Sequence, residues 1–234
     1  MPNLTKLSIN GDGSGGTNKM LEAIAQQLID LCILEDVSDP PKQPVLFPQL
    51  RSLTLDDASY LNHIRAPTLQ TLTLNTAHYY NISCLEPFES VLHLCLYGRV
   101  WGELAYLLQQ LPNIVHLTFE VIAHSKRTWP GADKYIIERG FFEALRLSSS
   151  DSLPAWRRLE YIRFGHSGCI GAGAILEPQE LIDFVVHRNV VHEHFEDTGE
   201  TVKLRPARIH TVTVDFEGAS ELLISELNMK LSTT

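Results

Sequence analysis

A short apolar pattern that recurs seven times along the 234 residues is the feature that most constrains how this chain folds. In each copy an apolar residue is followed by two variable residues, a second apolar residue, one variable residue and a third apolar residue. The copies are Leu4-Leu7-Ile9, Leu50-Leu53-Leu55, Leu69-Leu72-Leu74, Val91-Leu94-Leu96, Ile114-Leu117-Phe119, Leu159-Ile162-Phe164 and Ile209-Val212-Val214. Four copies have a proline two residues ahead, namely Pro2, Pro48, Pro67 and Pro112. This shared lead-in indicates a repeat rather than chance.

The spacing of the copies matches one repeat unit in the centre of the chain and about two units elsewhere. The middle apolar residues of the four central copies are 19, 22 and 23 residues apart, a length typical of one leucine-rich repeat. The remaining separations are 46 residues before Leu53, 45 after Leu117 and 50 after Ile162. Each long separation therefore contains either a degenerate repeat or a longer helical return.

Helical spacing within the long separations favours helical returns. Four helices are predicted: one after Thr17-Asn18 through Leu21, Ile24, Ala25, Leu28 and Cys32, one over Tyr135 to Leu147, one starting at Pro178 with Leu181, Ile182, Val185 and Val186 on its apolar face, and a shorter one over residues 101–111. Gly140 weakens the second helix by about 1 kcal/mol.

Each copy of the pattern reads as a short strand with its apolar residues pointing inward. One such unit cannot bury its apolar face alone, whereas stacked units form a parallel sheet with a continuous core. The sequence therefore predicts an α/β fold, a right-handed leucine-rich-repeat solenoid with a curved parallel sheet and irregular helices on the convex side. We expect a single domain over residues 1–234, with strands near 4–9, 50–55, 69–74, 91–96, 114–119, 159–164 and 209–214.

Charge and composition exclude several classes of partner. The net charge of −9 opposes binding to a phosphate backbone, so no nucleic acid is expected. No apolar stretch approaches the roughly 18 residues that span a bilayer, and the N-terminal residues lack a secretory signal. Four cysteines without C-x-x-C spacing suit reduced thiols. We therefore expect no membrane contact and an intracellular location, cytoplasmic or nuclear.

Strands stacked in register place their outward residues in columns, and these columns form the expected binding surface. Residues before the middle apolar positions give a first column, and a threonine-rich second column and an acidic third column follow. Aromatic and arginine side chains are common interface anchors. The candidate protein-binding residues on the concave face are Lys6, Asp56, His93, Tyr97, His116, Glu120, Tyr161, Arg163 and Asp215.

The segments Phe47-Pro-Gln-Leu-Arg-Ser-Leu-Thr-Leu55 and Ile64-Arg-Ala-Pro-Thr-Leu-Gln-Thr-Leu-Thr-Leu74 resemble the leucine-rich region of F-box proteins of mushroom-forming fungi. The resemblance implies an irregular horseshoe that serves as the substrate-recognition arm of a cullin-RING ubiquitin ligase. No F-box precedes Leu4, so we expect a fragment, a truncated gene model or a relative that has lost the F-box. Binding to the ligase adaptor is expected only where an F-box lies upstream.

Three segments have enzymatic or metal-binding alternatives. Gly11 to Gly16 fits G-x-G-x-x-G between a strand and a helix, but lacks the second strand with an acidic end that a dinucleotide site requires. His187, His192 and His194 lie near acidic residues but do not form H-E-x-x-H, and residues 165–173 lack a nucleophile elbow. We therefore expect loops at all three places, and no catalytic residue, metal or cofactor.

The sequence as a whole predicts a non-enzymatic protein–protein interaction module with an unknown protein partner. A basic or hydroxyl-rich segment of that partner would suit the expected face. Two alternatives stay open, namely a stand-alone scaffold repeat protein without a ubiquitin role and a nucleotide-binding enzyme that uses the loop from Gly11 to Gly16.

Overall fold

The fold is an α/β arrangement built on an open, eight-stranded sheet. The computed structural model describes residues 4–10, 17–34, 41, 43–76, 88–100, 104, 111–121, 134–137, 140–147, 156–166, 173–175, 178–190, 192–195, 201–204, 206–214 and 221–233. In chain order the strands are β1 (Lys6–Ile9), β2 (Asp30–Ile33), β3 (Val45–Leu46), β4 (Ser52–Leu55), β5 (Ile64–Arg65), β6 (Thr71–Asn75), β7 (His93–Tyr97), β8 (Arg99–Val100), β9 (His116–Val121), β10 (Lys134–Ile137), β11 (Tyr161–His166), β12 (Gly173–Ile175), β13 (His192–Phe195), β14 (Thr201–Leu204) and β15 (Thr211–Val214).

The main sheet has the order β1-β2-β4-β6-β7-β9-β11-β15 and does not close on itself. Every pairing within it is parallel. A strand overlaps each of the seven repeat segments. β2 is an eighth strand that the sequence analysis did not predict, and the expectation that no second strand follows the loop from Gly11 to Gly16 is wrong, because β2 pairs in parallel with β1. Three smaller sheets accompany it: β12-β10-β8, the antiparallel pair β13-β14, and β3-β5.

The described helices are α1 (Thr17–Ile24), α2 (Phe141–Leu147), α3 (Pro178–Arg188), α4 (Glu221–Thr233) and a 3-10 helix (Ala58–His63). The helix predicted to reach Cys32 is wrong beyond Ile24, since Cys32 lies in β2. Tyr135 lies in β10 rather than in a helix, and α2 begins only after Gly140, whose φ of 89° interrupts helical backbone. Most of the helix predicted over residues 101–111 lies outside the described residues.

The core lies on one face of the main sheet because apolar and polar residues alternate along each strand. Three rows of inward residues cross the sheet, and on the six strands between β1 and β15 they are at most 2% exposed. The central row begins with the half-buried Leu7 and ends with the half-buried Val212, and between them lie Leu31, Leu53, Leu72, Leu94, Leu117 and Ile162. In the next row Phe119 and Phe164 stack at 5.1 Å between ring centroids, and Phe141 of α2 meets Phe119 edge-on at 5.9 Å.

A tight turn leads into most repeat strands and accounts for the lead-in prolines. The backbone N–H of Leu50 donates to Phe47 O at 3.4 Å, and the N–H of Leu69 donates to Ala66 O at 3.1 Å. A proline at the second position of such a turn supplies the required φ in advance. The turn before β11 has no proline, but the Leu159 N–H still donates to the Trp156 carbonyl at 2.8 Å, and the buried Arg188 Nη2 donates to the same oxygen.

Arg188 is 1% exposed at the end of α3. Burial, with a smaller contribution from Arg157, lowers the pKa of its guanidinium to about 10. Among the described residues, no helix is both long and apolar enough to cross a membrane.

Candidate functional site

The register of the main sheet aligns its outward side chains in two columns, which together we call the polar face. The first column runs Lys6, Asp30, Ser52, Thr71, His93, His116, Tyr161 and Thr211, and the second runs Ser8, Cys32, Thr54, Thr73, Cys95, Thr118, Arg163 and Thr213. Each residue lies opposite its neighbour in the next strand, about 4.8 Å away. The structure therefore places the candidate residues Lys6, His93, His116, Tyr161 and Arg163 on one continuous surface.

Strand β2 adds two residues to the polar face that the sequence analysis missed, Asp30 and Cys32. The signal was present in the sequence, because Leu28, Leu31 and Ile33 repeat the apolar spacing of the other copies. This copy divides the 46-residue separation into two ordinary units. It was concealed because Leu21, Ile24, Ala25 and Leu28 also fit one helical face.

Three rings in the first column form a continuous stack, which we call the ring ladder: His93, His116 and Tyr161. The His93 and His116 centroids are 4.4 Å apart with an interplanar angle of 8°. The His116 and Tyr161 centroids are also 4.4 Å apart, at 7°. The ring spacing matches the strand spacing, so the sheet itself holds the three rings face to face. Tyr161 is 37% exposed, so the ladder stands on the accessible side of the sheet.

The ring ladder disfavours positive charge on His93. Burial first, and then the neighbouring His116, lower the pKa of the His93 imidazole below its ordinary value of 6.5. Strand β6 presents Thr71 and Thr73 beside it, so His116 on β9 is the titratable group that faces His93 across the register. At neutral pH His93 is therefore an uncharged ring.

A second cluster lies at the carboxyl ends of the strands, where Asp56, Asn75 and Tyr97 meet. Asn75 Nδ2 donates to Asp56 Oδ1 at 2.7 Å, and the Tyr97 hydroxyl donates to the same oxygen at 3.0 Å. Burial, followed by the charge of Asp56, raises the pKa of the Tyr97 hydroxyl well above its usual value. Tyr97 is only 8% exposed and reaches across β6 toward β4, so it ties strands together and offers little surface to a partner.

Glu120 and Arg163 lie beside the ladder, also toward the carboxyl ends. Cys95 Sγ approaches Glu120 Oε2 at 3.5 Å, and burial, with Glu120, strongly raises the pKa of this thiol. Cys95 is therefore a protonated donor rather than a nucleophile at neutral pH. The Arg163 side chain lies over Gly165, with Nε 3.3 Å from the point where a Cβ on that glycine would stand. Gly165 follows Arg163 along β11, whereas Tyr161 precedes it, so the guanidinium is directed away from Tyr161. Gly165 is paired with Glu120 on the neighbouring strand.

Short side chains on β1, β2 and β4 leave a shallow depression of about 460 Å³ in the polar face. Lys6 Nζ and Asp30 Oδ2 form an ion pair at 2.6 Å at its edge. Cys32 and Cys95 are free thiols, and burial raises the pKa of Cys32. The residues that line the depression are Lys6, Leu7, Ser8, Asp30, Leu31, Cys32, Ser52 and Thr54.

Several residues singled out from the sequence fall outside the described part of the chain. These are Asp215, the loop from Gly11 to Gly16 and residues 167–172. The loop expected around His187, His192 and His194 is wrong, because His187 lies in α3 and the other two lie in β13, although nothing is described of the side chains of His192 and His194. Within the described residues, no group of three His, Cys, Asp or Glu side chains is arranged to hold a metal ion. The chain matches no protein-family model, no curated protein and no solved structure.

Proposed function

We propose that this chain is a leucine-rich-repeat horseshoe without enzymatic activity that recognises a protein partner through the polar face. The ring ladder forms the centre of the recognition surface, with Glu120 and Arg163 beside it. A repeat architecture is supported by the eight register-aligned strands and by the turn that recurs before them. Stacked repeats of this kind offer extended sheet surfaces for binding.

The observation that carries this proposal is the exposure of the ring ladder on a surface whose other side chains are mostly small and polar. Sheet positions that serve only strand stability are well filled by threonine, as in the second column. Three adjacent rings on the accessible face provide a large, rigid contact area with little conformational entropy to lose on binding. Such a ladder is typical of an interface anchor.

The resemblance to fungal F-box proteins further suggests that the partner is a substrate of a cullin-RING ubiquitin ligase. In that case this chain is the recognition arm, and the ligase adaptor binds an F-box encoded upstream. The free thiols of Cys32 and Cys95 suit a reducing compartment, so we place the protein inside the cell, in the cytoplasm or nucleus.

The test is affinity capture from the source cells with the full transcript-defined protein, followed by mass spectrometry. Wild type is compared with a variant that carries both His116→Ala and Tyr161→Ala. We expect at least one partner that wild type retains and the variant loses, together with the ligase adaptor in both samples. Partners without the adaptor would replace the ligase proposal with a stand-alone scaffold. A partner set that the variant leaves unchanged would contradict recognition through the ladder.

A further inference from the structure

The ring ladder ends at Tyr161, which is 37% exposed. The inner faces of the three rings are used within the stack. The outer face of Tyr161 is directed toward β15, where its register neighbour is the short, exposed Thr211. Among the described residues, no other ring stacks on this face. Tyr161 therefore presents an open aromatic face above a hydroxyl floor, at a position where one more planar group would continue the stack.

The net charge of the chain favours a cationic occupant. It is −9, and Glu120 on the strand beside Tyr161 is a carboxylate roughly 13 Å along that strand, opposite Gly165. Lys6 is engaged by Asp30 at the far end of the first column, and Arg163 is directed over Gly165. The open face of Tyr161 is thus left without a cation of its own chain stacked on it in the described structure.

We propose that an arginine of a basic, extended segment in the protein partner stacks on the outer face of Tyr161 and so continues the ring ladder. This inference rests on the proposed function and names the chemistry of the partner. A guanidinium is planar, permanently charged and weakly hydrated, so it stacks on an aromatic face while remaining attracted to the negative face of the ring. A lysine ammonium brings the same charge but no plane, and a neutral aromatic residue brings the plane but no charge.

The test uses two fluorescein-labelled peptides, Arg-Gly-Arg-Gly-Arg-Gly-Arg and its lysine counterpart, and measures binding to the full chain by fluorescence polarisation. We expect the arginine peptide to bind at least fivefold more tightly than the lysine peptide. We expect Tyr161→Ala to weaken arginine-peptide binding about tenfold and Tyr161→Phe to preserve it. Ser52→Ala, in the same column two strands before the ladder, is the matched control and should leave binding unchanged.

Three results would each overturn this inference. They are equal binding of the two peptides, no binding of either peptide at millimolar concentration, and equal effects of Tyr161→Ala and Ser52→Ala on arginine-peptide binding. Circular dichroism of each variant shows whether it is folded, and the comparison of the arginine and lysine peptides on wild type keeps the test decisive should Tyr161→Ala be unstable. Failure here is separable from failure of the proposed function. A partner captured through the ladder without an arginine preference would retain recognition and reject only the arginine contact.

Discussion

The two halves of the polar face share one core pattern and differ in what they present outward. Strands β1, β2, β4 and β6 present mostly serine, threonine and cysteine, with one ion pair at the edge. Strands β7, β9 and β11 present the ring ladder. Inward, both halves bury the same central row, exemplified by Leu72 and Leu117 at no more than 1% exposure. The repeat pattern thus determines the sheet, while the variable positions determine which side chains the sheet presents outward.

The largest predicted effect tests whether the two halves depend equally on the shared core. Leu72→Asp and Leu117→Asp each place an unpaired charge in the core and should each destabilise the fold by more than about 4 kcal/mol. Thr73→Asp, one residue away on the polar face, should cost less than about 1 kcal/mol. Urea denaturation followed by circular dichroism measures all three. Equal losses for Leu72→Asp and Thr73→Asp would contradict the assignment of inward and outward residues.

The next effect concerns the link between the two halves. Tyr97 on β7 donates its hydroxyl to Asp56, which follows β4 on the other side of β6. Tyr97→Phe leaves that carboxylate with one donor fewer and should lower the free energy of unfolding by about 1 to 2 kcal/mol. Tyr161→Phe is the matched control, because its hydroxyl is on the exposed ladder, and it should change stability by less than about 0.5 kcal/mol. Similar values for the two would mean that Tyr97 does not tie the halves together.

A smaller effect distinguishes the ladder from an ordinary pair of surface histidines. The lowered pKa of His93 means that the folded state binds its proton less readily than the unfolded state. The stabilisation is therefore present above pH 6.5 and is lost as pH falls from 6.5 through the lower, folded-state pKa. NMR titration of His93 should give a pKa below 6.5, and His116→Gln should raise it only in part, because burial is the larger cause. A His93 pKa at or above 6.5 would contradict the stacked arrangement.

The smallest effect belongs to the ion pair on the first two strands. Lys6 has 78% of its side chain exposed, so its bond to Asp30 is screened by water and salt. Lys6→Ala should change the free energy of unfolding by less than about 1 kcal/mol. A double-mutant cycle with Asp30→Asn, measured at low and high salt, isolates the pair. A coupling that is large and independent of salt would show that this edge is held more firmly than its exposure indicates.

The sequence predicted the positions of the repeat strands because their apolar spacing leaves one way to bury the apolar residues while the variable residues stay exposed. The pairing of His93, His116 and Tyr161 followed from the same register. The sequence analysis missed β2, because Leu28, Leu31 and Ile33 satisfy a helical and a strand pattern at once. Only the pairing of this segment with β1 and β4 decides between the two patterns. The burial of Tyr97 could not be predicted from the sequence either, because it depends on the Tyr97 hydroxyl reaching Asp56 across an intervening strand.

The two later separations show why repeat length alone does not predict hidden strands. In the main sheet β11 follows β9 directly, and β15 follows β11. The described residues between them form smaller sheets and the helices α2 and α3. The spacing of 45 or 50 residues is thus filled by a longer return, whereas the 46 residues before Leu53 contain a strand. The length of a separation therefore does not distinguish the two cases.

The most direct test of the central claim is partner capture by two double variants of the polar face, one in each half. His116→Ala with Tyr161→Ala removes most of the ladder, and Ser52→Ala with Thr54→Ala truncates one residue of each column in the other half. Both should fold, because neither alters the core. We predict that the ladder variant loses partners that wild type captures, and that the serine–threonine variant retains them. Loss of the same partners by both variants, or by neither, would contradict the claim that the ladder is where this protein binds.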